Sequence, residues 1–170
     1  MFEEYIPICF AVEKCEKIQG RKKFQKIFYL AKRAGIPIHE TFKWNMFGPY
    51  SKELASEIDV LCEMELLLEE GFQGGEYSYI LTDEGTDFLK TSLSAGEQGA
   101  YGRFEKILRR LNELGSLELE KIASIAFLLD EGYEEPYIKK FLEHAKKYSN
   151  EEIEVGTKTL LDLFGQFKEL

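Results

Sequence analysis

The sequence predicts a mainly α-helical fold with a small β-hairpin: a winged helix-turn-helix-like unit followed by a C-terminal helical bundle. Three observations carry this. Apolar residues recur at helical spacing through most of the N-terminal half. One segment, residues 77–81, alternates with a period of two just after the turn pair Gly74-Gly75. Beyond a glycine-rich stretch near residue 100, everything reads as helix.

The elements follow in order. Residues 4–18 place Ile8, Ala11, Val12, Cys15 and Ile18 on one helical stripe, with Pro7 tolerated near the first turn and Gly20 breaking the segment. Residues 21–34 carry Phe24, Ile27, Phe28, Ala31 and Ala34, closed by Gly35 and Pro37. Residues 38–48 are irregular or short-strand material rich in aromatics. Gly48-Pro49-Tyr50 reads as a turn, and Ser51 caps an amphipathic helix that the pattern extends to about Glu70. Gly74-Gly75 would then join residues 72–73 to 77–81, and Thr82 caps another helix with Asp83 and Glu84 in its first turn. Three glycines within 94–103 suggest a hinge at 96–102, separating a module over 1–95 from a helical extension over 103–170. In that extension, helices are expected over 101–114, from a Ser116 cap, from Pro136, and from a capping box of Ser149 and Glu152.

At 170 residues and 44% hydrophobic content the chain can bury a core, which excludes intrinsic disorder. A net charge of -9 argues against a general nucleic-acid coat or a binder of anionic membranes, but leaves a local basic patch open. The N-terminal run MFEEYIPICFAVEKC has acids where a signal peptide carries positive charge, and its apolar stretch is too short to span a bilayer. Cys9, Cys15 and Cys62 form no CxxC, and His39 and His144 are far apart. The expectation is a cytoplasmic protein with free thiols, no metal and no cofactor.

Three segments, GRKKFQKIFYLAKRAG, FGPYSKELASEIDVL and YSYILTDEG, carry a family resemblance. Lys23, Gln25, Lys26 and Tyr29, then Gly48, Pro49, Tyr50 and Ser51, then Tyr79, Leu81 and Thr82, resemble the shared pattern of the Panacea (SocA-type antitoxin) domain and its YwgA-type relatives. The resemblance covers roughly residues 15–95. It implies a winged-helix-like fold and no enzymatic activity; some members of that family are antitoxins that neutralise a toxin by binding it. The helical half from Gly102 onward lies outside the motif.

Charge and aromaticity nominate two sets of binding residues. Between Lys17 and Arg33 stand Arg21, Lys22, Lys23, Lys26 and Lys32 with no acid until after His39, and Gln25 and Tyr29 add polar reach. Such a helix suits phosphates, an acidic protein partner, or a solvated face balanced by Glu40, Glu53, Glu57 and Asp59; the three readings stay open. The second set surrounds the predicted turn: Trp44, Gly48, Pro49, Tyr50 and Ser51, within a wider cluster of Tyr29, Phe42, Phe47, Tyr77 and Tyr79. These rings are either core or rigid contact area for a protein. The helix after Ser51 offers Glu53, Glu57, Asp59 and Glu63 against one Lys52, the wrong sign for a DNA groove. No nucleophile–base pair or phosphate-cradling glycine loop is visible, so no catalytic residue is assigned. The sequence points to a non-catalytic cytosolic binding module with a protein partner, antitoxin-like or adaptor in role. Nucleic acid bound by the basic helix 17–33 is the alternative, a homodimer stays open, and no membrane partner is expected.

Overall fold

A computed structural model describes residues 2–71 and 74–166. A 3-10 turn (Glu3–Tyr5) leads into α1 (Ile6–Cys15), then a short strand β1 (Ile18–Gln19) and α2 (Arg21–Arg33). A small hairpin, β2 (Lys43–Asn45) and β3 (Gly48–Tyr50), precedes α3 (Lys52–Glu63), β4 (Leu67–Gly71), β5 (Tyr77–Leu81) and α4 (Asp83–Ser92). Then come α5 (Ala95–Gly102), α6 (Glu105–Glu113), α7 (Ser116–Asp130), α8 (Glu135–Ala145) and α9 (Asn150–Gln166). The fold is mainly helical with two small antiparallel sheets, β1-β5-β4 and β2-β3.

Local chemistry sets several boundaries differently from the apolar pattern. The first helix stops at Cys15 because Glu16 takes a left-handed φ of 64°. Ile18 therefore leaves the helix and pairs with Tyr79 of β5. The helix expected to reach Glu70 ends at Glu63, and Glu65 reverses the chain at φ 58° without a glycine to advertise it. Residues 67–71 are strand, with Leu67 buried and Leu68 44% exposed, as alternation requires. Strand β4 pairs with β5 from Leu67↔Leu81 to Gly71↔Tyr77. Phe72 and Gln73, expected to pair with 77–81, lie outside the described residues.

Gly48-Pro49-Tyr50 is a strand rather than a turn, with the reversal at Met46-Phe47. Ser51 caps α3 as expected, its Oγ accepting from the Leu54 N–H at 3.1 Å, and Thr82 Oγ1 accepts from Gly85 N–H at 2.9 Å to cap α4. The segment read as a hinge is helix α5, started by a Ser94/Glu97 capping box that its glycines obscured. The helix expected over 101–114 is broken at Arg103-Phe104, between α5 and α6. Gly115, not Ser116, holds the N-cap position of α7. Ser149 and Glu152 form their reciprocal bonds at 2.7 and 3.1 Å.

One buried cluster runs from Ile6 in α1 to Leu163 in α9. Helix α7 lies across α2 and β3, while α6 packs on α1 and α2. At the α7–β3 contact, Gly48 has φ +85°, and a Cβ there would sit 2.6 Å from Ser124 Oγ. No helix among the described residues is long and apolar enough to cross a membrane.

Candidate functional site

The motif residues of α2 turn inward and fasten the β3–α3 segment. Gln25 Nε2 donates to Ser51 O and its Oε1 accepts from Ser51 N–H, both at 2.8 Å. The next residue, Lys26, is 1% exposed and its Nζ donates to Pro49 O at 2.7 Å. Burial lowers the Lys26 pKa to about 8, with nearby Glu120 pulling the other way. Tyr29 donates its hydroxyl to Asp130 Oδ2 at 2.6 Å, and burial together with that bond raises its pKa. Gln25, Lys26, Pro49 and Ser51 are thus brought together, but as scaffold.

The remaining basic residues of this helix are also engaged. Arg21 donates to Tyr79 Oη at 2.7 Å and to Asp59 and Glu69 at 2.5 and 3.0 Å, tying α2 to α3, β4 and β5. Lys23 bonds Asn112 O at 2.5 Å, Lys32 bonds Glu40 O at 2.7 Å, and Arg33 pairs with Asp130 at 3.0 Å. Lys22 and Lys146 both clasp Glu120, whose carboxylate is almost fully buried. Burial alone would raise the Glu120 pKa, but the bonds from Lys146 and Lys22 hold it below the usual carboxylate value. A phosphate approaching α2 would meet cations already engaged by carboxylates or carbonyl oxygens.

Two carboxyls behind the N-terminus of α3 form a separate pair. Glu40 is 3% exposed, Glu57 is half-buried, and Oε2 of each lacks an N–H or O–H donor. Burial, the hydrogen bond with Glu40, and the charges of Glu40, Glu53 and Glu4 raise the Glu57 pKa to about 9. This shift favours the protonated form of Glu57 where it lies beside Glu40. The sequence placed Glu57 on the outer face of its helix; it points instead toward residue 40.

Two adjoining depressions meet at Lys43 and Trp44 of β2. One, of about 360 Å³, is walled by Phe42, Trp44, Phe127, Tyr133, Tyr137 and Phe141. Its rings run in a chain: Tyr133 stacks on Tyr137 with centroids 4.6 Å apart, Tyr137 on Phe141 at 6.1 Å, Phe141 meets Trp44 edge-on at 5.4 Å, and Trp44 reaches Phe127 at 5.9 Å. Tyr133 and Tyr137 are 45% and 48% exposed. The second, of about 330 Å³, is polar and shares Lys43 and Trp44 with the first, adding Thr41, Asn45, Tyr50, Lys52 and Glu53. Glu53 is tied back by the Thr41 N–H at 2.9 Å. Lys43 and Lys52 are exposed, and their side chains have no ion-pair or hydrogen-bond partner among the described residues.

No group of three or more His, Cys, Asp or Glu among the described residues could hold a metal ion. Stacked rings beside lysines can bind by apolar contact and charge.

No protein-family model matches the sequence. The protein YwgA of Bacillus subtilis (strain 168), described as uncharacterised, is 30% identical over 168 residues, covering 96% of this chain and 98% of that protein. The chain belongs to the YwgA family. The match spans both the motif-bearing segments and the helical half, so α7 and α8, which supply Phe127, Tyr137 and Phe141, lie within the extent of YwgA-like sequence.

Of the nominated turn residues, Trp44 and Tyr50 face the depressions, whereas Gly48, Pro49 and Ser51 are buried. Sequence reasoning missed Tyr133 and Tyr137. Their signal was present, because Tyr133, Tyr137 and Phe141 recur every four residues, beside the inward Ile138 and Leu142.

Proposed function

We propose that this YwgA-family chain is a non-catalytic, cytoplasmic, winged-helix-like module that binds a protein through the aromatic groove bounded by Trp44, Phe141, Tyr137 and Tyr133. The observation that carries this is the exposed ring chain itself. Rigid, amphipathic Tyr side chains lose little entropy on contact, and two of them stand half in solvent in line with a partly buried Trp. The element order supports the winged-helix reading: α1, α2 and α3 are followed by the β4–β5 hairpin, with β1 as its third strand. Duplex recognition through α3 has little support, since Glu53, Asp59 and Glu63 occupy its outer face. The Panacea-like motif favours an antitoxin-like or adaptor role, in which binding itself is the activity.

The test is site-specific photo-crosslinking in cells, with a benzophenone amino acid at position 137 and, as control, at the equally exposed Tyr77 on the hairpin. A discrete protein adduct from position 137, absent from position 77 and lost in Tyr133→Ser, is the expected result. Adducts to nucleic acid, or none at position 137, would overturn the reading.

A further inference from the structure

We propose that the groove is selective for an extended acidic–apolar peptide segment, with an aromatic or long aliphatic side chain on the Tyr137–Trp44 rings and a carboxylate held between Lys43 and Lys52. This rests on the protein-binding reading above and names the partner's chemistry. The aromatic and polar depressions meet at Trp44 and Lys43, so one continuous ligand can occupy both. Charge complementarity decides the sign. Every other basic side chain from Lys17 to Arg33 has an acidic or carbonyl partner, including the weakly paired Lys17 at 3.6 Å from Glu70. Lys43 and Lys52 have none, and they flank the same polar depression. The acid in that depression, Glu53, already accepts from the Thr41 N–H. Tyr50 and Asn45 add polar groups within reach of a bound carboxylate.

Glu131 lines the aromatic depression and not the polar one, whereas Lys52 lines only the polar one. Lys52 in one depression and Glu131 in the other give the site a direction. A peptide running with its acid toward Lys43 and Lys52 is favoured over the reversed one, which would set its carboxylate against Glu131.

The experiment pans a phage-displayed library of random dodecapeptides on the full chain, on Lys43→Glu/Lys52→Glu, and on Tyr133→Ser/Tyr137→Ser. Affinities of enriched peptides are then read from the emission of Trp44, the lone tryptophan. The expected enrichment is an acid next to an aromatic or long aliphatic residue. Affinity should fall at least about tenfold in the lysine double variant, since the loss of two partly exposed ion pairs alone accounts for that much and the new carboxylates add repulsion. It should vanish in the tyrosine variant. Binding to wild type should also weaken as salt rises, a readout that needs no variant. Apolar peptides that depend on the tyrosines but ignore the lysines and salt would overturn this inference while leaving protein binding by the groove intact. No peptide that depends on the tyrosines would overturn both.

Discussion

Lys26 and Lys43 are the same residue type, yet they stand for two different regions. Lys26 is sealed inside, bonded to Pro49 O, with its pKa lowered to about 8. Lys43 is exposed at the mouth of an aromatic groove with no partner among the described residues. The α2 face looks like the binding site in sequence because it concentrates charge, but each charge meets a neighbour brought in by the fold. The groove looks ordinary in sequence because its walls come from β2, α7 and α8. The difference between the two lysines lies in their partners, not in local charge density.

The largest effect should come from the scaffold side. Gln25 closes a two-way bridge to the Ser51 backbone in a fully buried setting. Gln25→Ala leaves the Ser51 N–H without that acceptor and removes a packed side chain, costing roughly 3 kcal/mol. Urea denaturation should show a lower midpoint with an unchanged slope. A loss below about 1 kcal/mol would mean that the motif is not a structural clamp, and α2 would return as a binding candidate. Ser51→Ala removes only the cap to Leu54 and should cost about 1 kcal/mol, again by denaturation.

How legible this division was in the sequence depends on the distance over which each signal acts. Short-range chemistry was readable: the Ser51 and Thr82 caps, the Ser149/Glu152 box, the alternation of residues 77–81, and the close of α2 at Gly35. Helix ends made by Glu16 and Glu65 in left-handed conformations were not, since neither residue type favours that region. The direction in which Lys26 and Gln25 point was also hidden. A lysine is usually exposed, and only the close approach of β3, permitted by Gly48, supplies the carbonyl that keeps this one inside. The groove was half legible: Trp44 and Phe42 stood out, while Tyr133 and Tyr137 lie 89 and 93 residues beyond Trp44 in sequence.

A third test uses pH. Glu57 keeps its proton in the folded chain up to about pH 9 but releases it near 4.5 when unfolded. Between those values the folded state holds one more proton, so this group's contribution to stability declines as pH rises through the window. Glu40, Glu53 and Glu4 are the acids that set the shift. Lys26 titrates in the opposite sense and only above about 8, so melting between pH 5 and about pH 8 isolates the carboxyl pair. Glu57→Gln supplies a permanent amide in place of the protonated acid. Its melting temperature should vary less across that range, and at the alkaline end it should exceed that of wild type. A variant with an unchanged pH slope would show that Glu57 is ionised in the folded chain.

The smallest expected effect on stability is also the sharpest test of the comparison. Lys43→Gln/Lys52→Gln removes two cations that contact no acid or carbonyl among the described residues, so denaturation should shift by less than about 0.5 kcal/mol. Lys22→Gln removes only one, but strips a clasp from the buried Glu120 carboxylate and leaves it to Lys146. Breaking one side of a buried charge cluster should destabilise by roughly 1–3 kcal/mol, because the carboxylate stays behind with a partner lost. Ligand binding should reverse that order, with the groove pair mattering more than Lys22. If the double variant proves the less stable of the two, Lys43 and Lys52 belong to the scaffold. The distinction between an engaged helix face and a free groove would then fail at the residues on which it depends.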